Sequence, residues 1–186
     1  MERIDRPDLR PDVSKLLRSG TCIPAVPLAQ QPDGSFDPRY QRALARYYVD
    51  AGAGGVAVGV HSTQFEIRNP EFDLYEPVLT LMNSASDEWN THNRPFVKIA
   101  GVAGETKQAV AEARLAAQIG YDIGLVSLSA LDSASDDQLI EHCKSIATEI
   151  SIMGFYLQPA VGGRYLGFNF WRRFADIDGV VAIKIS

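Results

Sequence analysis

Short apolar segments alternate with amphipathic helical patterns along almost the whole chain, and this alternation limits its possible folds more than any other feature. Six segments read as strands and begin about 32 residues apart on average, which is the length of one strand–helix unit. They are residues 21–28, 55–60, 96–101, 123–127, 154–158 and 180–185. No pair is joined by a hairpin signal, so the pattern predicts an α/β protein with a parallel sheet covered by helices.

The segments between the predicted strands carry helix signals. Asp37 and Pro38 fit the N-cap and first position of a helix that Gly52 ends. A short helix is expected within an N-terminal lead-in, residues 1–20. The helix after Pro38 is predicted to bury one face, made of Tyr40, Ala43, Leu44, Tyr47, Tyr48 and Ala51.

Two architectures fit this alternation: an open doubly wound sheet and a (β/α)8 TIM barrel. A dinucleotide-binding doubly wound sheet needs a GxGxxG turn directly after an early strand, whereas the Gly-rich residues 51–55 precede one. A barrel usually takes about 250 residues. We therefore expect a single incomplete TIM-barrel domain over residues 1–186 that supplies about the first six βα units, and a natural polypeptide longer by roughly a hundred residues.

Composition argues against several classes of function. The net charge is −5, from 18 basic and 23 acidic residues without a basic run, so nucleic acid is not an expected partner. Cys22 and Cys143 form neither a disulfide framework nor a CxxC metal pattern, and His92 and His142 have no partners at ligand spacing. No apolar run reaches the about 18 residues of a membrane span. We expect a cytoplasmic protein without a bound metal, and Cys143 in the core.

A lysine stands near the end of the last predicted strand. Val180, Ala182 and Lys184 share one face, which we assign to the barrel interior, and barrel active sites lie at the carboxyl ends of strands. A poorly solvated amine there has a lowered pKa and can attack a carbonyl to form a Schiff base. The alternative is a lysine that extends from the strand end into water.

Tyr156 is the second candidate. It shares a strand face with Gly154 and Gln158, opposite Phe155, and on the inner face it would relay a proton to a substrate beside the strand-end lysine. A core tyrosine with a satisfied hydroxyl is the alternative. Lys98 is a rival nucleophile, but it comes early in its strand, at the structural end of a barrel, and we expect it to be ion-paired or solvated.

Two motifs taken together resemble the dihydrodipicolinate synthase / N-acetylneuraminate lyase family of class I aldolases. They are Gly154-Phe-Tyr-Leu-Gln-Pro159 and Val180-Val-Ala-Ile-Lys184, and the family's spacing of 28 residues separates Tyr156 from Lys184. The resemblance covers essentially the whole chain. It implies a (β/α)8 barrel in which Lys184 forms an imine with a 2-oxo acid, usually pyruvate, and Tyr156 shuttles protons. It also implies that no cofactor is needed and that the protein is a homo-oligomer, typically a tetramer.

The chain departs from the family where the substrate carboxylate is held. The family motif Gly-Thr-Thr-Gly-Glu reads Gly59-Val-His-Ser-Thr-Gln64 here, so Val60 and His61 stand at the two threonine positions. The second family tyrosine is replaced within residues 127–131, and Arg164 lies three residues after the usual place of the family arginine. The resemblance then assigns substrate binding to Gly59, His61, Ser62 and Thr63.

The sequence as a whole predicts a Schiff-base-forming lyase or aldolase acting on a pyruvate-like 2-oxo acid through Lys184. One alternative is a dehydratase or hydrolase of the same fold, which would share the imine. The other is a non-catalytic barrel with a degenerate carboxylate-binding loop.

Overall fold

Helices and strands alternate in the computed structural model, which describes residues 9–157, 159 and 163–185 of the chain. Short 3-10 helices at His61–Thr63, Phe65–Arg68 and Ser129–Leu131 lie in the connecting loops. The main elements, in chain order, are α1 (Pro11–Ser19), α2 (Pro38–Asp50), β1 (Gly55–Val58), α3 (Tyr75–Trp89), β2 (Val97–Val102), α4 (Thr106–Ile119), β3 (Ile123–Val126), α5 (Asp136–Ala147), β4 (Ser151–Tyr156), α6 (Phe168–Ala175) and β5 (Val180–Ile185).

The strands form one sheet whose order follows the chain, β1-β2-β3-β4-β5. The β1–β2, β3–β4 and β4–β5 pairs are parallel. A doubly wound sheet reverses its strand order at the switch point, whereas the wall of a barrel keeps sequential neighbours side by side. The predicted α/β class is therefore confirmed, as a partial (β/α)8 barrel.

The first predicted strand is wrong, because residues 21–28 form only one isolated parallel bridge, between Ala25 and Ala57. The Val26 N–H donates to the Ala57 carbonyl, and the Ala57 N–H donates to the Pro24 carbonyl, both at 2.9 Å. Pro24 has no N–H to donate on the preceding side of the bridge. On the following side the Gly59 N–H and the Val26 carbonyl are both bonded to the Thr63 hydroxyl, so the ladder does not extend there either. The other five predicted strands form, although Gln158 lies outside the described residues.

The chain divides into two compact units. The N-terminal unit comprises Leu9–Ala100 and Ile119–Asp122, and the described residues of the C-terminal unit are Gly101–Gln118, 123–157, 159 and 163–185. The boundary crosses β2 and α4. A single domain over residues 1–186 stays a prediction. Within the predicted lead-in the structure contains α1, and residues 1–8 are not described.

In the N-terminal unit, α2 begins as predicted but buries a different face. The Asp37 carboxylate accepts the Tyr40 N–H at 3.0 Å as the N-cap. The buried residues are Gln41, Ala45 and Val49, whereas Tyr40 is 58% exposed. Gln41 explains the error, since its side-chain oxygen accepts the Ala29 N–H at 2.8 Å and its nitrogen donates to the Pro27 carbonyl at 3.3 Å. A glutamine with satisfied hydrogen bonds is as acceptable in a core as an apolar residue.

In the C-terminal unit, α5 has both a defined start and a buried face. Ser135 and Gln138 form a reciprocal capping box, in which each side chain accepts the other's backbone N–H. Leu139, Cys143 and Ile146 are completely buried on the inner face. Burial raises the pKa of the Cys143 thiol to about 12, so it stays protonated, and its predicted place in the core is confirmed.

Candidate active site

Lys184 lies one residue before the end of β5, beside an aromatic ring of β4. The two strands pair with Phe155 opposite Lys184 and Tyr156 opposite Ile185. The Lys184 Nζ lies 4.2 Å from the centroid of the Phe155 ring. Lys184 is exposed, and burial of part of its side chain lowers the pKa of the amine from its ordinary value.

Gly154 decides which face of β4 meets the helix layer. A Cβ on Gly154 would lie 2.8 Å from the Phe174 ring and 2.9 Å from the Trp171 ring, so α6 packs directly on this glycine. Tyr156 shares the face of Gly154, and its ring meets Trp171 edge-on with centroids 5.6 Å apart. Phe155, on the opposite face, is therefore the β4 side chain beside Lys184.

The structure does not bring Tyr156 and Lys184 to the same face of the sheet. The alternation along β4 agrees with the sequence, but the face of Gly154, which was predicted to line the barrel interior, lies against α6. The signal that was missed is the glycine itself, which leaves room for an aromatic helix rich in buried rings, Phe170 and Phe174 among them. The proton-shuttle role of Tyr156 stays a prediction.

A small cavity opens at the carboxyl ends of β3 and β4. Its polar lining is Ser127, Ser129, Asp132 and Arg164, and Phe155 forms part of its apolar wall. The hydroxyl oxygens of Ser127 and Ser129 are 3.0 Å apart. The half-buried Arg164 donates from Nη1 to the carbonyls of Leu131 and Ala134, both at 2.9 Å. Ser127, Ser129 and Arg164 were noted from the sequence only as departures from a family motif, Asp132 was not singled out, and their convergence on one cavity was not predicted.

The loop after β1 lies in the N-terminal unit, and one buried hydroxyl holds it. Thr63 is completely buried, accepts the Gly59 N–H at 3.0 Å and donates to the Val26 carbonyl at 2.7 Å. Thr63 thus positions the loop from within the core, and its predicted substrate contact stays a prediction. His61 and Ser62 are exposed, and the His61 ring lies 6.0 Å from the ring of Phe65.

Lys98 is held by its neighbours in the N-terminal unit, as predicted. Its Nζ donates to the Asn83 side-chain oxygen at 2.7 Å and to the Asp87 carboxylate at 2.6 Å. These two contacts occupy the ammonium, and the residue is second in β2, at the amino end of the strand. Lys98 is therefore not arranged as a nucleophile.

No group of three or more His, Cys, Asp or Glu side chains converges as a metal site among residues 9–157, 159 and 163–185. In the same part of the chain, none of the helices is both long enough and apolar enough to cross a membrane.

Comparison with known proteins finds one significant curated match. No family model matches the chain. The chain is 24% identical over 154 residues to 4-hydroxy-tetrahydrodipicolinate synthase of Persephonella marina, a match that covers 82% of this chain and 50% of that protein. This match supports the resemblance to the dihydrodipicolinate synthase / N-acetylneuraminate lyase family, at a divergent level of identity. It spans about half the length of this curated relative.

Solved structures of the family share the fold. Dihydrodipicolinate synthase of Acinetobacter baumannii, complexed with pyruvate, superposes with a TM-score of 0.77 at 18% identity, covering 89% of this chain and 55% of that one. A catalytic lysine mutant of Ruminococcus gnavus sialic acid aldolase gives a TM-score of 0.74 at 19% identity, covering 92% and 54%. At these identities the likeness extends to the fold.

Proposed function

We propose that this chain carries the Schiff-base lysine of a lyase or aldolase that acts on a pyruvate-like 2-oxo acid, with Lys184 as that lysine. The observation that supports the proposal best is the position of the Lys184 amine, beside Phe155 near the carboxyl end of β5. Its lowered pKa increases the fraction of neutral amine, which is the form that attacks a carbonyl.

The chemistry then follows from the amine. The Lys184 nitrogen adds to the ketone carbon of the 2-oxo acid, and the nitrogen's proton passes to the oxygen to give a carbinolamine. A proton taken from solvent or from the proposed shuttle Tyr156 converts the carbinolamine hydroxyl into water, and its departure leaves a protonated imine. The positive nitrogen of this imine accepts the electron pair released when a C–C bond breaks. The reverse flow of electrons forms the bond. The imine supplies the electrophile, so the steps proposed here use protein groups and water alone.

The remaining predicted site residues complete the proposal. The exposed His61 and Ser62, on the loop that Gly59 opens, are proposed to hold the substrate carboxylate, because an imidazolium and a hydroxyl both donate to a carboxylate. Thr63 keeps this loop in shape through its bond with Gly59. Tyr156 is proposed as the proton shuttle, a role that requires its hydroxyl to reach the face of Lys184.

A non-catalytic barrel is a second candidate, and one observation favours it. Tyr156 packs against Trp171 on the face that α6 covers, away from Phe155 and Lys184. A barrel that has lost its carboxylate-binding motif and its proton shuttle could still contain the lysine, but it would not catalyse the reaction. A dehydratase or hydrolase of the same fold would retain the imine, and its products would distinguish it from a lyase.

Trapping the imine tests the proposal. The full protein is incubated with pyruvate and other 2-oxo acids and reduced with borohydride, which delivers hydride to the imine carbon and fixes the adduct as a secondary amine. Peptide mass spectrometry should locate the adduct on Lys184, and Lys184→Met should abolish it. Lys144→Met is the matched control, since Lys144 is an exposed lysine paired with Glu141.

Two results would contradict the assignment. An adduct on Lys98 would support imine chemistry in this protein but would show that Lys184 is not the residue that forms the imine. A folded protein that gives no adduct with any acid would favour the non-catalytic barrel.

A further inference from the structure

We propose that a cavity at the amino end of β2, the cationic cavity, binds a phosphate group carried by a small phosphate ester. The cavity lies within the N-terminal unit, and Arg10, Arg94 and Lys98 supply the positive charge of its lining. Barrel enzymes carry out their chemistry at the carboxyl ends of the strands, so we assign binding and no catalytic step to this cavity. The proposal does not depend on an imine at Lys184.

Three basic side chains reach the cationic cavity from separate stretches of the chain. Arg10 precedes α1, Arg94 lies in the segment before β2, and Lys98 is the second residue of β2. The side-chain amides of Asn83 and Asn90 add polar groups to the lining. A phosphate group presents oxygens in several directions and carries up to two negative charges, so donors that converge from different segments suit it better than they suit a planar carboxylate.

Lys98 is the most buried of the three basic residues. Its side chain is 10% exposed, and its Nζ donates to Asn83 at 2.7 Å and to Asp87 at 2.6 Å. An ammonium has three N–H groups, so one remains for a ligand while both contacts persist. The Asp87 side chain is 64% exposed, so water weakens its attraction for the ammonium.

Arg94 carries a charge that no ion pair balances. Its Nη2 donates to the Val49 carbonyl at 2.7 Å, which is a neutral acceptor. Asn90 fixes the backbone of Arg94, since its side-chain oxygen accepts the Arg94 N–H at 3.2 Å and its nitrogen donates to the Arg94 carbonyl at 2.8 Å. Among the described residues no carboxylate pairs with Arg94. The guanidinium is thus held in place with N–H groups available to an anion.

Arg10 is already paired, so its contribution is the shape of the cavity. The Asp122 carboxylate accepts from its Nε at 2.8 Å and from its Nη2 at 3.3 Å, and the exposed Asp12 carboxylate lies 3.4 Å from Nη1. These contacts fix the guanidinium in the lining and balance its charge. The donors that a ligand would meet are therefore the free N–H groups of Arg94 and the third N–H of Lys98.

The cationic cavity is larger than a free phosphate needs. Its volume is about 340 Å³, whereas one water takes roughly 10–15 Å³ by the same measure. A phosphate group would fill a small part of it, so the rest has room for an organic group. Phe96 and Ile119 supply apolar lining for carbon atoms. A small ester such as glycerol 3-phosphate combines the two.

Isothermal titration calorimetry of the full protein tests the proposal, in a phosphate-free buffer at constant chloride. We expect saturable binding of glycerol 3-phosphate, weaker binding of inorganic phosphate and no binding of glycerol. Arg94→Gln should raise the Kd for glycerol 3-phosphate roughly tenfold to a hundredfold, the range of one lost charge-assisted hydrogen bond. Arg39→Gln is the matched control and should leave the Kd unchanged, since Arg39 is an exposed arginine that lies over the Tyr40 ring of α2.

A second variant should strengthen binding, which a loss of folding could not do. Asp87→Asn removes a negative charge from the lining and keeps an oxygen to which Lys98 can donate. The Kd for glycerol 3-phosphate should fall about twofold to fivefold, the range of one exposed charge pair. Asp50→Asn removes an exposed carboxylate of the same unit, paired with Arg46, and should leave the Kd unchanged.

Each outcome is decisive. Equal Kd values in the wild type, Arg94→Gln and Asp87→Asn would overturn the site, because the attraction would then be nonspecific. If Arg94→Gln does not fold, the gain or lack of gain in Asp87→Asn decides alone. Inorganic phosphate that binds as tightly as glycerol 3-phosphate would overturn the ester assignment. No saturable binding of either phosphate would overturn the whole proposal and leave the imine at Lys184 unaffected.

Discussion

At the scale of single residues, the surroundings of a side chain decide its chemistry more than its type does. Lys98 and Lys184 both lie on strands, yet Lys98 is held by Asp87 and Asn83 while Lys184 faces a ring. A carboxylate and an amide oxygen occupy the first amine, whereas partial burial lowers the pKa of the second. Only the second arrangement favours nucleophilic attack.

Replacing the ring beside Lys184 should change its titration. Phe155→Ala admits water to the ammonium, so the pKa of Lys184 should rise towards its ordinary value. The rate of imine trapping, measured against pH, should then reach its plateau at higher pH than in the wild type. Phe168→Ala removes a phenylalanine that is 78% exposed and should leave the profile in place. An unchanged profile in Phe155→Ala would show that the ring does not control the amine.

His142 should make the protein sensitive to acid. Its ring is buried in α5, its Nδ1 lies 2.9 Å from the Thr106 hydroxyl, and its Nε2 has no partner among the described residues. Burial lowers the pKa of His142, so the folded state binds the proton less readily than the unfolded state. Stability should therefore fall as pH drops below the ordinary histidine pKa of about 6.5, by at most about 1.4 kcal/mol per pH unit, until the folded group also titrates.

The measurement is urea unfolding between pH 7.5 and pH 5 for the wild type and His142→Gln. The variant should lose less stability across this range, because its amide does not titrate. His92→Gln changes an exposed histidine and should follow the wild type. Parallel curves for all three proteins would exclude His142 as the source of acid sensitivity.

At the scale of elements, hydrophobic alternation predicted where strands and helices lie better than which face each one buries. The positions of β1 to β5 and the start of α2 were predicted from the period of the apolar residues, the helix-capping residues and the glycines that end elements. The inner face of α2 did not, because a glutamine occupies it through hydrogen bonds to chain segments that are distant in sequence. The face of β4 that meets α6 was not predicted for a related reason, since Gly154 has no side chain whose hydrophobicity could indicate burial. Both errors arise where tertiary contacts, and not local pattern, decide orientation.

Filling the space at Gly154 should destabilise the C-terminal unit. Gly154→Ala places a methyl group within 3.0 Å of the Phe174 and Trp171 rings, so α6 must shift, at a cost of about 1–3 kcal/mol in the free energy of unfolding. Gly167→Ala is the matched control, because its nearest heavy atom would be 3.9 Å away. Urea unfolding monitored by tryptophan fluorescence reports the change. Equal stability of the two variants would mean that α6 does not pack on this face of β4. It would then support a position of Tyr156 on the same face as Lys184.

At the scale of the whole molecule, the strand order confirms the barrel class that the spacing of the apolar segments predicted. Pro24 and the Thr63 hydroxyl account for the one predicted strand that reduces to a bridge at Ala25. Of the site, the sequence located Lys184 at its strand end and the changed loop after β1. The cavity around Arg164 could not be predicted, because it joins side chains from separate stretches of sequence that only the fold brings together.

The position of β5 at the end of the sheet order has a consequence for handling the purified chain. Ile185 is 76% exposed and Ile183 is 36% exposed on this strand. Across the described residues no strand pairs with its outer side, so a row of backbone donors and acceptors is available beside an apolar surface. Such an edge accepts any extended peptide that can complete the ladder. Preparations of the isolated 186-residue polypeptide should therefore scatter more light as they are concentrated, and a charged residue in place of Ile185 should raise the concentration at which turbidity begins.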